Sequence, residues 1–382
     1  MNDSHFQFIS FLKPCFNAFI LVLFSAGFLN AQPNKRSENL LVHQINASKD
    51  NPRNSEGDFI ELKDGRILFV YSRFLGVSGS DHAPAQLVGR YSNDDGMTWS
   101  TEDRVIVDKE GDMNVMSVSL LRLKNNQIAL IYVRKNSLSD CIPYLKLSDD
   151  EGKTWTDPVA IIQDKQGYFV VNNDRVIQLK SGRILVPVSM HKTPETPWRN
   201  KGAIRCYYSD DYGLHWSSTD TVLTPESIIT QEPGLVELKQ GRLMLYMRAS
   251  GGTQFQSFSE DGGLTWSMAT PVAIPSPISP ASIKRIPKTN DLLLVWNNNG
   301  ASGPGYFKSI RSPLTIAISK NEGKSWKLIK NIEDDPNGMF CYTAIHFTKS
   351  HVLLGYGVGL GLPNTHIRRL SLNWLYERAS HY

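Results

Sequence analysis

The chain has 382 residues, with 41 Lys and Arg against 37 Asp and Glu and a net charge of +4 at pH 7. Its 41% hydrophobic and 10% aromatic content is enough for a sizeable core, which excludes a disordered chain. The small net charge and the lack of a basic stripe exclude nucleic acid as an expected partner. The composition therefore predicts a globular protein without a polyanionic partner.

The N-terminus has the pattern of a secretory signal peptide over residues 1–31. Lys13 precedes an apolar run from Phe16 to Leu29, and small and polar residues follow it. This pattern predicts cleavage near Ala31 and a mature chain that is secreted or periplasmic, in a bacterial cell envelope. The run is too short and wrongly flanked for a strong membrane span, although an uncleaved N-terminal anchor is an alternative.

A short pattern with one Ser, one Asp or Asn, one Gly and one Trp at fixed spacing occurs five times in the chain. The Asp side chain can accept hydrogen bonds from its own turn, the Gly permits a positive φ, and the Trp buries a large ring. Each copy, an Asp box, therefore predicts a tight turn pinned to a hydrophobic layer. The boxes begin 50 to 61 residues apart, at Ser92, Ser148, Ser209, Ser259 and Ser319.

A second repeat consists of short hairpin turns between apolar, β-rich runs. Six of them occur, at residues 63–66, 124–127, 180–183, 239–242, 289–291 and 349–351. Each of the first five precedes an Asp box, so one unit is predicted to contain four antiparallel strands. Radial repetition of such units is typical of a propeller. The sequence therefore predicts an all-β fold, a six-bladed β-propeller of four-stranded antiparallel blades with Asp-box turns, as a single domain over residues 32–382.

The sixth unit has a hairpin but no box. The chain ends with an alternating run of Ile367, Leu370, Leu372 and Trp374, which we interpret as the closing strand region of the sixth blade. Residues near Leu40 to Ile45 are candidates to complete the ring.

Blade geometry also predicts where a site lies. The first strands of all blades start around the axis at one face, and the second strands return to that face. Acids and arginines that converge over a central pocket would recognise an anionic, hydroxylated ligand. Counting back from the hairpins gives the candidate positions on the first strands, which are Glu56, Asn173, Glu232 and Tyr342. Counting forward gives the candidate positions on the second strands, which are Arg73, Arg134, His191 and Arg248.

At these residues the chain resembles the sialidase (neuraminidase) superfamily, whose six-bladed propellers carry Asp boxes. The stretch from Gln231 to Arg248, followed by the fourth box, is the most similar part. The resemblance implies that Tyr342 is a nucleophile, that Glu232 is its base, and that Asp81 is the acid/base. It also implies that Arg248 and Arg311 grip a substrate carboxylate.

The implied chemistry explains these residue types. A sialic acid carries a carboxylate on its anomeric carbon, so a neutral Tyr activated by a Glu avoids the repulsion that a carboxylate nucleophile would meet. Arginines bind the carboxylate in a bidentate manner, and an Asp protonates the leaving oxygen. The resemblance thus implies a monomeric exo-α-sialidase that releases terminal sialic acid from glycoconjugates with retention and needs no cofactor or metal.

The first blade departs from the family pattern. Sialidases begin it with an Arg-Ile-Pro stretch that supplies a first arginine for the carboxylate, but Glu56 and Asp58 occupy the matching place here. Arg53, Arg73 and Arg175 are candidates to replace that arginine. The full set of substrate-binding candidates is Arg248, Arg311, Arg73, Glu56, Asp58, Asp174, Arg175 and His191.

Two alternatives follow from this departure. In the first, Glu56 and Asp58 bind hydroxyl groups of a different terminal sugar, neutral or uronic. In the second, the chain is a non-catalytic glycan-binding propeller, because fold alone does not fix function. The three cysteines after the leader show no metal-ligand spacing and are expected to be buried thiols, at Cys141, Cys206 and Cys341.

Overall fold

The computed structural model describes residues 38–300 and 311–377, and the leader predicted over residues 1–31 lies outside them. No helix in this part of the chain has the length and apolar character needed to cross a membrane. The helix α1 spans Leu372–Tyr376. The strands are β1 (Asn39–Ile45), β2 (Asn54–Glu61), β3 (Ile67–Phe74), β4 (Ala85–Ser92), β5 (Arg104–Val107), β6 (Asn114–Arg122), β7 (Ile128–Ser137), β8 (Asp140–Ser148), β9 (Val159–Ala160), β10 (Tyr168–Val170), β11 (Ile177–Gln178), β12 (Ile184–Lys192), β13 (Ala203–Ser209), β14 (Ser217–Ser218), β15 (Thr230–Glu237), β16 (Leu243–Ala249), β17 (Thr253–Ser259), β18 (Thr270–Pro275), β19 (Ser282–Arg285), β20 (Leu292–Asn297), β21 (Leu314–Ser319), β22 (Lys327–Glu333), β23 (Phe340–Phe347), β24 (His351–Val358) and β25 (Asn364–Ser371).

The strands repeat one antiparallel order, which confirms the predicted all-β class with four-stranded sheets. Sheet 1 is β2 to β5, sheet 4 is β15 to β18, and sheet 5 is β19 to β22. Sheet 6 has the order β23, β24, β25, β1, so the first strand of the described chain pairs with the last. Sheets 2 (β6 to β9) and 3 (β10 to β14) differ from the prediction, because a parallel contact between Tyr168 and Cys141 joins them into one nine-stranded sheet.

Each Asp box lies between the last two strands of its sheet along the chain. In the third box the Ser209 hydroxyl donates to Asp211 at 2.8 Å and accepts from the backbone N–H of Gly213. The indole of Trp216 donates to the Gly213 carbonyl at 3.0 Å. Gly213 has a φ of +93°, and a Cβ atom there would lie 2.2 Å from Leu145 of sheet 2. The box glycine thus closes the turn and lets the turn pack on the preceding sheet.

The same contact connects sheet 1 with sheet 6. A Cβ atom on Gly96, in the first box, would lie 2.6 Å from the Leu353 side chain in β24. The hydrophobic core is divided into clusters, of which the largest extends over sheets 1, 2 and 3 and the others lie between two sheets. One of these clusters contains buried residues of both sheet 1 and sheet 6. That cluster includes Phe59, Trp99 and Ile367.

A bulge recurs near the start of the first strand in sheets 1, 2, 4 and 6, where the strand register shifts. The bulge residues have positive φ, a strained conformation for any residue other than Gly. Asp174 has the same conformation at the matching place between β10 and β11. In these sheets the bulge turns one residue of the first strand out of the regular ladder. These residues are Glu56 (φ 56°), Ser117 (61°), Asp174 (55°), Glu232 (47°) and Tyr342 (57°).

The C-terminal strand is shorter than predicted. Strand β25 ends at Ser371, whose hydroxyl accepts a hydrogen bond from the Trp374 N–H at 3.0 Å and so begins helix α1. Leu372 and Trp374 therefore lie in a helix, and the assignment of these two residues to a closing strand is wrong. Leu372 and Leu375 are buried in the core by the helix.

The Asp boxes predict how stability depends on pH. A hydrogen bond from the Thr154 hydroxyl lowers the pKa of Asp150 from 3.8 to about 2. A hydrogen bond from the His215 backbone N–H lowers the pKa of Asp211 by the same amount. A depressed folded-state pKa contributes stability above the unfolded-state pKa, and this contribution is lost as the pH falls through the folded-state value. We therefore expect the free energy of unfolding, measured by chemical denaturation, to decrease between pH 3.8 and about 2.

The matched variant is the double substitution Asp150→Asn and Asp211→Asn. The fifth box already carries Asn321, whose side-chain oxygen accepts from the Ser325 N–H at 2.9 Å, so Asn can hold the turn. The variant is expected to fold and to lose part of the acid dependence. An unchanged pH dependence in the variant would contradict this account of the boxes.

Candidate functional site

The bulges and the nearby loops surround a cavity of about 390 Å³. One wall is apolar and is contributed mainly by sheets 2 and 3, with Met116, Val133 and Phe169. The remaining walls are charged or polar. The cavity brings together ten ionisable residues, Glu56, Asp81, Lys135, Cys141, Tyr168, His191, Glu232, Arg248, Arg311 and Tyr342.

Glu232 and Arg248 form an ion pair at one side of the cavity. Strand β16 places Arg248 opposite Gln231, one residue before the bulge of β15. An Arg248 Nη1 lies 2.9 Å from Glu232 Oε2, and both side chains are mostly buried. The structure therefore brings these two residues together as neighbours, as the strand register indicated.

Tyr342 lies beside Arg311, whose guanidinium carbon is 5.3 Å from the centre of the phenol ring. Burial and the negative charge of Glu232 raise the pKa of Tyr342 well above its ordinary value, and the Arg311 charge opposes them. Burial disfavours the Arg311 charge, but Cys341, Tyr342 and Glu232 outweigh it and raise the arginine pKa. The phenol is thus neutral, with a base nearby and a permanent positive charge beside it.

Arg53 joins two carboxylates that line the cavity. Its Nη2 lies 2.8 Å from Glu56 Oε1, and its Nη1 forms a short ion pair with Asp81. The guanidinium also donates to the Ser55 hydroxyl at 3.0 Å and to the Gly79 carbonyl at 3.3 Å. Arg53 therefore has four acceptors. One of them is Glu56, the acid that occupies the place of the first arginine of the sialidase pattern.

The two carboxylates on Arg53 differ in pKa. Burial raises the pKa of Glu56, and the charge of Arg53 opposes this shift only in part. Burial also acts to raise the pKa of Asp81, but the charge and hydrogen bond of Arg53, with the Lys135 charge, outweigh it and lower the pKa. The Asp81 side chain is 63% exposed at the cavity mouth. Asp81 is therefore ionised more readily than Glu56.

Lys135 was missed by the sequence reasoning. Its ammonium donates to the Asp81 carbonyl at 2.6 Å and lies 5.3 Å from the centre of the Tyr168 ring. The count along β7 selected Arg134, which instead packs on Tyr144 with 3.8 Å between its guanidinium carbon and the ring centre. Successive residues of a strand face opposite sides, so an error of one residue selects the wrong side chain.

His191 lines the cavity with both ring nitrogens occupied. Nε2 is 2.9 Å from the Ser189 hydroxyl, and Nδ1 is 2.8 Å from the Arg199 carbonyl. Burial lowers the pKa of His191, so the ring is neutral at pH 7. Its ring stacks on Trp198, with 4.9 Å between the ring centres. Trp198 lies in the loop after β12, and no repeat signal marks its position.

Four predicted binding residues do not reach the cavity. Arg73 faces the β4–β5 connection and pairs with Asp103 at 3.3 Å. Arg175 is buried away from the cavity and donates to the Tyr246 hydroxyl at 3.0 Å and to Ser282 at 3.2 Å. The Arg73 side chain is directed to the β4–β5 connection and the Arg175 side chain to residues of β16 and β19, so neither lines the cavity.

Asp58 and Asp174 connect sheets instead of lining the cavity. Asp58 accepts from the backbone N–H of Leu120 in sheet 2 at 2.8 Å. Asp174 pairs with Lys284 at 2.5 Å and accepts from the Ile345 N–H of sheet 6 at 2.8 Å. Burial, followed by the Asp174 charge, raises the pKa of Asp58. These carboxylates satisfy buried backbone donors, which explains polar residues at strand starts without a role in binding.

The described residues contain no group of three or more His, Cys, Asp or Glu side chains that could hold a metal ion. Cys141, Cys206 and Cys341 are buried and free.

Repeated four-stranded antiparallel sheets, Asp-box turns and a charged cavity at the first-strand bulges define an Asp-box all-β protein. The family model of the BNR repeat-like domain matches residues 90–353, and the chain belongs to this family. The resemblance to the sialidase superfamily is thereby confirmed.

A sialidase of Bacteroides fragilis is 30% identical over 194 residues, which are 48% of this chain and 33% of the relative. The chain thus matches one third of that relative's length. A protein of unknown function from Dyadobacter fermentans has a similar fold, with a TM-score of 0.68, 20% identity and coverage of 87% of this chain and 99% of the other. The Hadza microbial sialidase Hz136 has a TM-score of 0.68 at 17% identity, with coverage of 84% and 66%. At these identities the solved structures support the fold alone.

Proposed function

We propose that the chain is a secreted, exo-acting glycoside hydrolase, an exo-α-sialidase that releases terminal sialic acid, on a six-bladed propeller formed by residues 32–382. The observation that carries the proposal is one cavity that contains Tyr342, Glu232, Asp81 and two arginines. Closure of the ring is supported by the cluster shared between sheets 1 and 6 and by the pairing of β1 with β25.

In the proposed reaction the Tyr342 oxygen attacks the anomeric carbon and forms a covalent glycosyl-enzyme, while Glu232 accepts the phenol proton. Because the pKa of Tyr342 is raised, the proton leaves during attack and not beforehand. The glycosidic bond breaks, and its electron pair goes to the leaving oxygen, which receives the proton of the protonated form of Asp81. Because the pKa of Asp81 is lowered, this step is favoured at acidic pH. Water then attacks the anomeric carbon while Asp81 takes its proton. The bond to the Tyr342 oxygen breaks, the phenolate recovers its proton from Glu232, and the second inversion at the anomeric carbon gives a product of retained configuration.

The charges of the site favour an acidic sugar. Arg53, Lys135, Arg248 and Arg311 supply four positive charges, and Glu56, Asp81 and Glu232 supply three negative charges when ionised. The excess of one positive charge would be neutralised by one carboxylate. Arg311 and Arg248 lie in the same cavity as Tyr342, so a carboxylate on the anomeric carbon would be in reach of both.

A specific observation favours a second candidate, a hydrolase for a terminal sugar that has no carboxylate on its anomeric carbon. Glu56 occupies the bulge position where the sialidase pattern has an arginine, and Arg53 behind it is bound to Glu56 and Asp81. An ionised acid at this place repels a substrate carboxylate and can accept a hydrogen bond from a sugar hydroxyl. A neutral or uronic sugar fits this arrangement.

The test is a panel of aryl glycosides that includes an α-sialoside, α- and β-uronides and neutral sugars. Hydrolysis of the sialoside with retention, observed by proton NMR, is the expected result. Turnover of another glycoside and not of the sialoside would select the second candidate. Binding to a glycan array without turnover of any panel member would overturn the enzymatic proposal and favour a binding module.

A further inference from the structure

We propose that Lys135 is a positioning residue for Asp81, which it fixes from the neighbouring sheet while it places a positive charge beside the carboxylate. The inference rests on the proposed function, in which Asp81 is the acid. It concerns a residue of sheet 2 that acts on a loop of sheet 1. Lys135 is 2% exposed and lines the same cavity as Asp81.

The backbone at Asp81 is held by two buried side chains. The Lys135 ammonium and the Asn114 amide both donate to the Asp81 carbonyl, at 2.6 and 2.9 Å. Asn114 donates to the Ala83 carbonyl as well, at 2.9 Å. Asn114 and Lys135 are paired residues of β6 and β7. The loop that carries Asp81 is therefore anchored to two adjacent strands of a different sheet.

Burial of an ammonium is costly unless it has partners, so its retention here requires a reason. Lys135 has the Asp81 carbonyl as its hydrogen-bond acceptor and the Tyr168 ring beside it. No ion pair within 4 Å joins Lys135 to a carboxylate among the described residues. Its charge is directed at the cavity and at the Asp81 carboxylate beyond the carbonyl.

The charged and titratable groups that face Asp81 come from every neighbouring element. Arg53 and Lys135 contribute positive charge, His82 of the same loop contributes in the same direction, and Glu56 contributes negative charge. Tyr168 of β10 is neutral, since burial raises its pKa. Lys135 supports Arg53 in holding the pKa of Asp81 below its ordinary value.

The position of an acid matters as much as its ionisation. A displacement of about 1 Å can reduce a rate by roughly 100-fold when a reacting group leaves its productive geometry. Arg53 fixes the Asp81 carboxylate, and Lys135 with Asn114 fixes its backbone. Loss of the Lys135 contact should thus change both the rate and the pH at which Asp81 carries its proton.

The experiment compares Lys135→Met, Lys135→Gln, Lys135→Arg and Asn114→Ala in the full chain. We expect Lys135→Met to lower kcat/KM about 10- to 100-fold with little change in KM, and to move the Asp81 limb of the pH profile upward by up to about one unit. Lys135→Gln should move the Asp81 limb of the pH profile as far as Lys135→Met does, but it should retain a higher kcat/KM because Gln keeps a hydrogen-bond donor. Lys135→Arg keeps the positive charge, so the Asp81 limb should stay at its wild-type pH.

Asn114→Ala removes a donor to the same carbonyl without a change of charge, so it should lower the rate and leave the limb unmoved. Lys288→Met, at an exposed lysine outside the site, should leave both unchanged. If Lys135→Met and Lys135→Gln fold and leave the limb in place, the inference is wrong, and Lys135 is only structural.

A direct titration keeps this result separate from the proposed function. The Asp81 carboxyl carbon can be followed by NMR in the wild type and in Lys135→Gln, with Asp81→Asn to assign its signal. An upward shift of the Asp81 pKa in the variant supports the inference even when no panel glycoside is hydrolysed, an outcome that would refute the proposed function alone. An unchanged Asp81 pKa would refute the inference whether or not the protein is a hydrolase.

Discussion

Tyr342→Phe is expected to reduce kcat/KM on the best glycoside of the panel by roughly 1,000-fold or more, as for the loss of other nucleophiles. The phenol oxygen forms the bond to the anomeric carbon in the proposed reaction, and Phe retains the ring beside Arg311 without that oxygen. Binding of the sugar should change much less. Steady-state rates and a calorimetric binding constant measure the two effects.

The matched control is Tyr91→Phe, at a tyrosine of β4 whose hydroxyl accepts from Arg104 outside the cavity. It should keep wild-type activity. A fluorinated glycoside of the same sugar should label a peptide that contains Tyr342 in the wild type, and mass spectrometry detects the adduct. Retention of more than about one tenth of the activity by Tyr342→Phe, or a label on another residue, would exclude Tyr342 as the nucleophile.

Arg53→Met is expected to destabilise the fold by about 3–5 kcal/mol, the range for removal of one partner from a buried ion pair. The substitution leaves Glu56, which is 6% exposed, without the guanidinium that lies 2.8 Å from its carboxylate. Glu56 would then retain the Ser117 hydroxyl as its hydrogen-bond partner. Chemical denaturation at pH 7 measures the change in the free energy of unfolding.

The effect of Arg53→Met should depend on pH with a defined sign. Burial already raises the pKa of Glu56 above 4.5 in the wild type, and loss of Arg53 raises it further. A raised folded-state pKa gives stability below the unfolded-state value that is lost as the pH rises through the folded-state value. The deficit of the variant should therefore be smallest below pH 4.5 and grow above it.

The double variant Arg53→Met with Glu56→Gln provides the control, because it removes the buried charge along with its partner. It should be more stable than Arg53→Met alone at pH 7. If the double variant is no more stable than the single one, the ion pair is not the cause of the loss.

The repeats made much of the fold predictable. Hairpin turns and Asp boxes are local signals, because one Gly or Asp determines the conformation of its own turn. The order of the strands and the position of each residue along its strand could therefore be counted from the turns. The same counting brought Glu232 and Arg248 together across two strands. It also located Glu56 and Tyr342, which lie at the bulges.

The face of the sheet on which each side chain lies could not be predicted in the same way. A bulge adds one residue to a strand, and a shift of one residue exchanges the two faces. Arg134 was therefore selected where Lys135 lines the cavity, and Arg73 was selected although it faces Asp103. Trp198 lies in a loop outside the repeat, where contacts between distant segments fix its position.

The five bulge residues have one further consequence, for how such a protein can change. Their backbone conformation is almost the same, yet the side chains are those of Glu56, Ser117, Asp174, Glu232 and Tyr342. The left-handed strain thus depends on the surrounding sheet and not on the side chain that occupies the position. Of these residues, Glu56 and Ser117 line the cavity and take no part in the proposed bond-making steps, and their exchange leaves the boxes untouched. These two positions are consequently the natural ones to randomise in a library that seeks new sugar specificity on the same scaffold.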